Sequence, residues 1–87
     1  MRWPAEEDRE YATEIGRRLR AWRIMCRLTQ HQLAELAGVD RDLVGATEEA
    51  TISVDLTRLR RLAWAVGASL PQLLDEDFVT ASATAHH

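Results

Sequence analysis

The stretch TQHQLAELAGVDRDLVGATE, residues 29–48, predicts two short helices joined by a tight turn. Thr29 can cap the first helix, and Gln32, three residues later, completes a capping box. Gly38 suits a left-handed turn position, which a Cβ atom would strain. Asp40 is a good N-cap for the second helix. The stretch therefore has the layout of a helix-turn-helix, in which the second helix presents one face outward.

Helical periodicity continues on both sides of this stretch. Before it, apolar residues at helical spacing predict a first helix that starts after Pro4 and ends near Cys26. The core stripe of that helix comprises Tyr11, Ile15, Leu19, Trp22 and Cys26. Cys26, the only cysteine, is expected to be a small buried apolar residue rather than a redox or metal-binding group. After the stretch, Asp55 and Ser69 are predicted to cap a fourth and a fifth helix, and Gly67 to end the fourth.

The run from about residue 15 to residue 74 resembles, without a gap, the phage repressor and Cro-like family, often called the XRE family. The resemblance is carried by IGRRLRAWR before the motif, TQHQLAELAGV within it, Glu48 after it and DLTRLRRLAWAVGASLPQLL at the end. It implies an all-α fold, a compact five-helix bundle of the lambda-repressor type. It also implies a sequence-specific transcriptional regulator that binds duplex DNA. The family usually has glycine where this chain has Arg27, so we expect a strained turn there.

The length of the chain, 87 residues, fits one domain. We place this domain at residues 9–75, after an N-terminal extension of residues 1–8 and before a flexible tail of residues 76–87. The chain has no apolar run of membrane-spanning length and no signal-peptide pattern, which favours the cytoplasm and excludes a membrane partner. It also lacks a serine–histidine–aspartate arrangement, a phosphate loop and paired acids in an apolar setting. We therefore expect no enzyme activity, no cofactor and no metal.

The second helix of the motif is the part that the resemblance places in the major groove, with its first residues at the base edges. Its outward face is predicted to consist of Arg41, Asp42, Gly45 and Ala46. Arg41 can bind guanine or a phosphate, while Asp42 can accept from the amino group of cytosine but repels phosphate. The other two residues offer no side-chain hydrogen bond, so Arg41 is the one cation of this face.

The first helix of the motif is expected to cross the DNA backbone, with its N-terminus near a phosphate. By resemblance Gln30 lies at that start and Gln32 beside it, although capping and contact with solvent would explain the same glutamines. Arg23, in the helix before the motif, is a further candidate for DNA contact. For Glu48 the resemblance favours a structural role, in which its carboxylate holds the loop or an arginine such as Arg23.

The charge of the chain leaves two interpretations of function open. The formal net charge is −3, whereas a DNA-binding domain is expected to carry a basic footprint. In the first interpretation the protein is a DNA-binding regulator, and arginines of the first helix compensate for a weak recognition helix. In the second, the same fold has an acidic surface that contacts a protein partner. Binding to random duplex DNA at low salt distinguishes the two interpretations.

The fourth helix carries a tryptophan that helical spacing directs away from the core. Helix-turn-helix domains usually bind two half-sites as dimers, because one helix reads few base pairs. We therefore expect a symmetric homodimer through a contact that includes Trp64, Leu70, Phe78 and Val79. Two alternatives remain: Trp64 is a single exposed side chain, or the N-terminal extension or the DEDFV tail folds back over it.

Overall fold

Five α-helices make up the described part of the chain in the computed structural model, which describes the backbone of residues 6–74 and the side chains of residues 8–74. In chain order they are α1 (Glu6–Met25), α2 (Gln30–Ala37), α3 (Arg41–Glu48), α4 (Leu56–Val66) and α5 (Leu70–Leu74). This range contains no strand, so the predicted all-α, five-helix architecture is confirmed. The helix α1 starts inside the predicted extension of residues 1–8, and the predicted tail of residues 76–87 lies outside the described residues. Both boundaries stay predictions.

The core draws one fully buried residue from each helix. These residues, each with no exposed surface, are Leu19, Leu33, Val44, Leu62 and Leu73. Complete burial of such a side chain stabilises the fold by about 1.5–3 kcal/mol relative to an exposed position. Smaller residues of α2 and α4, Ala34, Ala37 and Ala63, fill the space where these two helices pack. Since every helix is attached to the same core, the positions of α2 and α3 depend on the whole bundle.

The stripe predicted for α1 is only partly buried. Leu19 is in the core, and Ile15 and Trp22 pack against it. Tyr11 is 48% exposed, because it lies in the N-terminal turns of a helix far longer than its neighbours. The prediction of a buried Cys26 is wrong: the residue is exposed. It falls just after the end of α1, where helical spacing no longer decides burial, and its thiol donates to the carbonyl oxygen of Val66 at 3.2 Å.

The predicted helix boundaries are confirmed where the signal is local. Thr29 and Gln32 form the capping box, with the Thr29 hydroxyl accepting from the backbone N–H of Gln32 at 3.0 Å. The carboxylate of Asp55 accepts from the backbone N–H of Arg58 at 2.8 Å. This hydrogen bond holds the pKa of Asp55 below its usual value. Asp40 is different: it occupies the N-cap position of α3, but its side chain makes no capping hydrogen bond. The predicted N-cap position is therefore confirmed, without a side-chain hydrogen bond at it.

Two turns are built in the left-handed region without glycine. Arg27 has φ 59°, which confirms the strained turn expected between α1 and α2. Ala50 has φ 58° in the turn after α3, which the sequence did not indicate. Its conformation lets the backbone N–H of Ala50 and that of Thr51 bond to carbonyls of the last turns of α3, those of Thr47 and Ala46. The chain therefore closes the end of α3 before it leaves for α4.

Candidate nucleic-acid interface

The scaffold of the interface is the packing of α2 against α3. Leu33, Ala34 and Ala37 of α2 and Val44 and Thr47 of α3 are buried. Gly38, with φ 70°, reverses the chain between the two helices, as the motif predicted. One side of α3 is thus fixed to the bundle, and the opposite side is left open at its start.

The start of α3 is exposed and carries unpaired polar groups. Arg41 and Asp42 are both exposed. Among the described residues the guanidinium of Arg41 has no hydrogen-bond or ion-pair partner. Its donors are therefore available for an external acceptor, and only water has to be displaced to reach them.

The middle of α3 is less open than the sequence suggested. Gly45 and Ala46 are half-buried. A Cβ atom added to Gly45 would lie 3.5 Å from the side-chain oxygen of Gln30, so the start of α2 covers this turn. The open part of the predicted face is consequently its first turn, around Arg41.

A polar network fixes the end of α3 to α1 and α2. Nε of Arg23 donates to Oε2 of Glu48 at 2.6 Å, and Nη2 donates to Oε1 at 3.0 Å. The third nitrogen, Nη1, donates to the carbonyl oxygen of Leu28 at 2.8 Å. Gln30 donates to Oε1 of Glu48 at 3.1 Å. The side chain of Arg23 is 13% exposed and that of Glu48 is 3% exposed, so this is a buried, bidentate ion pair.

This network shows what its members do inside the protein. The structural role of Glu48 is confirmed, and the hydrogen bonds that Arg23 donates to the Glu48 carboxylate raise the pKa of Arg23 above its usual value. All three side-chain nitrogens of Arg23 donate inside the protein, so its observed role is to hold Glu48 and the carbonyl of Leu28, and its predicted DNA contact stays a prediction. The side chain of Gln30 lies beside Gly45 of the predicted DNA-binding face and also donates to Glu48 of the network. Gln32 is a capping residue, since its side-chain oxygen accepts from the backbone N–H of Thr29 at 2.9 Å.

A glycine of α1, Gly16, allows α1 to lie close to this network. The sequence analysis did not predict this role. Gly16 is buried, and a Cβ atom there would overlap the carbonyl oxygen of Thr47 and lie 2.7 Å from that of Glu48. The backbone of α1 therefore lies directly against the last turn of α3. The available signal was a glycine inside a helical pattern, which usually has a packing reason because it weakens the helix by about 1 kcal/mol.

Several arginines of α1 already pair with acids of the protein. Fewer of them are therefore free to compensate for a weak recognition helix by binding DNA. Arg17 and Arg18 both contact the carboxylate of Glu14, at 2.7 and 3.4 Å. The hydrogen bond from Arg17 lowers the pKa of Glu14. Arg20 and Arg27 are exposed and have no side-chain partner among residues 8–74. Among residues 8–74, Arg27 just before the motif and Arg41 within it are thus cations without a side-chain partner.

The described residues predicted for a dimer contact, Trp64 and Leu70, belong to α4 and α5 and not to the helix-turn-helix motif. Trp64 is 74% exposed on α4, as its spacing predicted. Leu70 is half-buried and packs against the core. Phe78 and Val79 lie outside the described residues. Of the predicted contact, Trp64 is therefore the part that is visibly available to a second molecule.

Two further properties concern the described part of the chain. No helix within residues 6–74 combines the length and apolar character needed to cross a membrane. In the same region, no group of three or more histidine, cysteine, aspartate or glutamate side chains is arranged to hold a metal ion.

Comparisons with known proteins find a helix-turn-helix profile and proteins described as controllers or transcription factors. A family profile described as a helix-turn-helix domain matches residues 14–76. Control protein C.SmaI from Serratia marcescens is 37% identical over 60 residues, which cover 69% of this chain and 71% of that protein. The crystal structure of the restriction-modification controller protein C.AhdI from Aeromonas hydrophila is 35% identical, covers 71% of this chain and 94% of that chain, and gives a TM-score of 0.69. The hypothetical transcription factor NHTF from Neisseria is 25% identical with 93% coverage of both chains and a TM-score of 0.74. None of these relatives supports the protein-interaction alternative.

Proposed function

We propose that this chain, which belongs to the helix-turn-helix family of DNA-binding transcriptional regulators, reads its operator with the open first turn of α3. The observation that supports this is the state of Arg41: it is exposed and unpaired, at the first position of a helix whose far end is held by a buried ion pair. A rigid helix with free donors at its start is suited to base edges in the major groove.

Each residue of the face has a proposed role that follows from its chemistry. Arg41 donates two hydrogen bonds to the acceptors of one guanine, and Asp42 accepts from a cytosine amino group. Ala46 makes an apolar contact with a thymine methyl group. Gly45 and Gln30 adjoin each other, so the start of α2 and the middle of α3 approach the DNA as one surface. The first N–H groups of α2 then face a phosphate.

A dimer is the second part of the proposal. One short recognition helix contacts few base pairs, and a two-fold pair of helices doubles the site. Trp64 is the strongest candidate for the centre of this contact, because a tryptophan 74% exposed is a common anchor of interfaces. Measuring the molecular mass of the parent and of Trp64→Ala across the micromolar range tests this. A parent that stays monomeric throughout refutes the dimer.

The test of DNA binding is selection of bound duplexes from a random pool, followed by a salt titration of the selected site. We expect one enriched sequence, with two-fold symmetry, and an affinity that falls steeply as salt rises. No binding to any duplex at low salt would refute the function. If the enriched sequence contains only one half-site, the DNA-binding role is supported and the dimer is refuted.

One relative, C.AhdI, is described as a restriction-modification controller protein, and another is named control protein C.SmaI. We propose restriction-modification genes as the target of this chain, and a cytoplasmic location, where such DNA is found. Selection from fragments of the source genome tests the target: the enriched fragments should lie upstream of a methyltransferase or endonuclease gene. Enrichment of unrelated promoters would contradict the target class and leave the DNA-binding role intact.

A further inference from the structure

We propose that the acidic segment DEDFV, residues 75–79, docks in cis in a groove between α2 and α4. The groove has a volume of about 420 Å³ and is open to solvent. It is lined by Leu36, Ala37, Thr57, Arg60, Arg61 and Trp64. None of these lining residues belongs to the predicted DNA-reading face of Arg41, Asp42, Gly45 and Ala46.

The groove combines apolar and cationic groups that have no counterpart. Trp64 is 74% exposed and Leu36 is 53% exposed, which leaves two large apolar side chains together at the surface. Arg60 and Arg61 are exposed, and neither has a hydrogen-bond or ion-pair partner among the described residues. A ligand that satisfies this surface must bring carboxylates and an apolar side chain within a few residues.

The segment after α5 contains both kinds of group, with its acidic residues before its apolar ones. It has three consecutive acids, then phenylalanine and valine. The acids match the two guanidinium groups, and Phe78 matches Trp64 and Leu36, since offset aromatic pairs are favourable beyond their buried area. The segment is also tethered to the bundle at Leu74, which packs against the core. Tethering makes docking an intramolecular step, which raises the local concentration of the segment above that of a free peptide.

The reach of the segment agrees with the position of the groove. α5 packs against α1 and α4, whereas the groove lies between α2 and α4, so the segment has to cross α4. A helix with its side chains is about 10 Å wide. Four extended residues span about 13 Å, which carries Phe78 across α4. At 100° per residue, Arg61 projects from the outer side of α4, opposite the buried Leu59 and Ala63, and the acids pass it before Phe78 reaches Trp64.

A second copy of the groove is a poorer occupant. A two-fold contact uses the same patch on both copies, so it would bring Arg60 and Arg61 of both copies into one interface. Like charges at short range disfavour such a contact. The docked acids remove this repulsion and leave Trp64 beside Phe78 and Val79. Only this consequence, that docking prepares the dimer surface, rests on the proposed function.

The test is an NMR measurement on the full chain without DNA, at a concentration where it is monomeric. We expect cross-peaks between the Phe78 ring and the Trp64 indole, and their loss in the charge-neutral variant Asp75→Asn/Glu76→Gln/Asp77→Asn. Arg60→Glu/Arg61→Glu should also lose them, and combining it with Asp75→Arg/Glu76→Arg/Asp77→Arg should restore them. Thr80→Ser, just beyond the segment, is the matched control and should leave them unchanged.

Three results would overturn the proposal. The cross-peaks could be absent in the parent, they could persist in the charge-neutral variant at low salt, or they could arise only between differently labelled chains in a mixed sample. The last result would place the segment in a second copy. Because DNA binding and molecular mass are measured separately, failure of the DNA-binding role or of the dimer does not alter these readouts.

Discussion

The two ends of α3 are built in opposite ways. At its C-terminal end, Glu48 is bound by Arg23 and Gln30, and the backbone of Gly16 lies against the last turn. At its N-terminal end, Asp40 makes no capping hydrogen bond, and Arg41 has no partner among the described residues. The C-terminal end of α3 is therefore fixed to α1 and α2, whereas its N-terminal end is free of such contacts among the described residues.

The difference follows from what each end has to do. A binding surface must keep its geometry within about 0.5 Å, which requires side chains locked by a supporting shell. Donors that bind an external partner must lack internal partners, because an existing hydrogen bond would have to be broken first. The buried pair of Arg23 and Glu48 is therefore interpreted as a device for positioning, not as a gain in stability.

The largest expected effect is that of removing the anchor. Glu48→Ala leaves the guanidinium of Arg23 buried without its carboxylate, which should lower the free energy of unfolding by about 3 kcal/mol. Urea denaturation measures this. The control is Glu49→Ala, an exposed acid at the next position, for which a change within about 0.5 kcal/mol is expected. Equal losses for the two variants would show that the ion pair does not anchor α3.

The second prediction concerns the close approach of α1 to α3. Gly16→Ala places a methyl group against the carbonyl oxygens of Thr47 and Glu48, and backbone cannot move aside as a flexible side chain can. We expect a loss of about 1–3 kcal/mol in the free energy of unfolding. Thermal unfolding followed by circular dichroism gives the value. A variant as stable as the parent would mean that the two helices can separate without cost.

The third prediction tests the open end. Arg41→Ala should weaken operator binding by about 1–3 kcal/mol if the contact to guanine is bidentate, and should leave the unfolding free energy unchanged. The matched control is Arg41→Lys, which keeps the charge but not the planar fork. It should retain the salt dependence and lose the preference for guanine. If Arg41→Lys binds like the parent, the contact is to a phosphate.

The contrast between the two ends also explains which features the sequence could predict. The capping box of Thr29 and Gln32 and the left-handed Gly38 depend on residues a few positions apart, and all are confirmed. The pair of Arg23 and Glu48 spans 25 positions, and it was expected only because of a family resemblance.

The features that were missed depend on packing between distant helices. The role of Gly16 depends on the carbonyl oxygens of the last turn of α3, which no local pattern indicates. The exposure of Cys26 depends on where α1 ends relative to the bundle. Gln30 was expected to face DNA or solvent, and its bond to Glu48 forms only once α2 and α3 have packed.

The fourth prediction is a gain in stability near the middle of α3. A Cβ atom at Gly45 would meet only the side chain of Gln30, at an ordinary contact distance of 3.5 Å. Gly45→Ala should therefore raise the unfolding free energy by up to about 1 kcal/mol through helix propensity, the opposite sign to Gly16→Ala. Urea denaturation of both variants in parallel checks the signs. A loss at Gly45 would show that the side chain of Gln30 cannot adjust.

The smallest effect on stability is expected at Asp40, the N-cap position of α3. Asp40→Asn removes a charge but no capping hydrogen bond, because Asp40 makes none. What remains is the attraction between the carboxylate and the positive end of the α3 dipole, worth about 0.3–1 kcal/mol at low salt and less when screened. Thr29→Ala, at the equivalent position of α2, should cost about 1 kcal/mol at any salt concentration, since it removes a formed cap. Denaturation of both variants at two salt concentrations separates the cases. Because asparagine caps a helix as well as aspartate does, capping itself is tested with Asp40→Ala. If Asp40→Ala costs as much as Thr29→Ala in high salt, the start of α3 is capped in solution and the two ends differ less than the structure indicates.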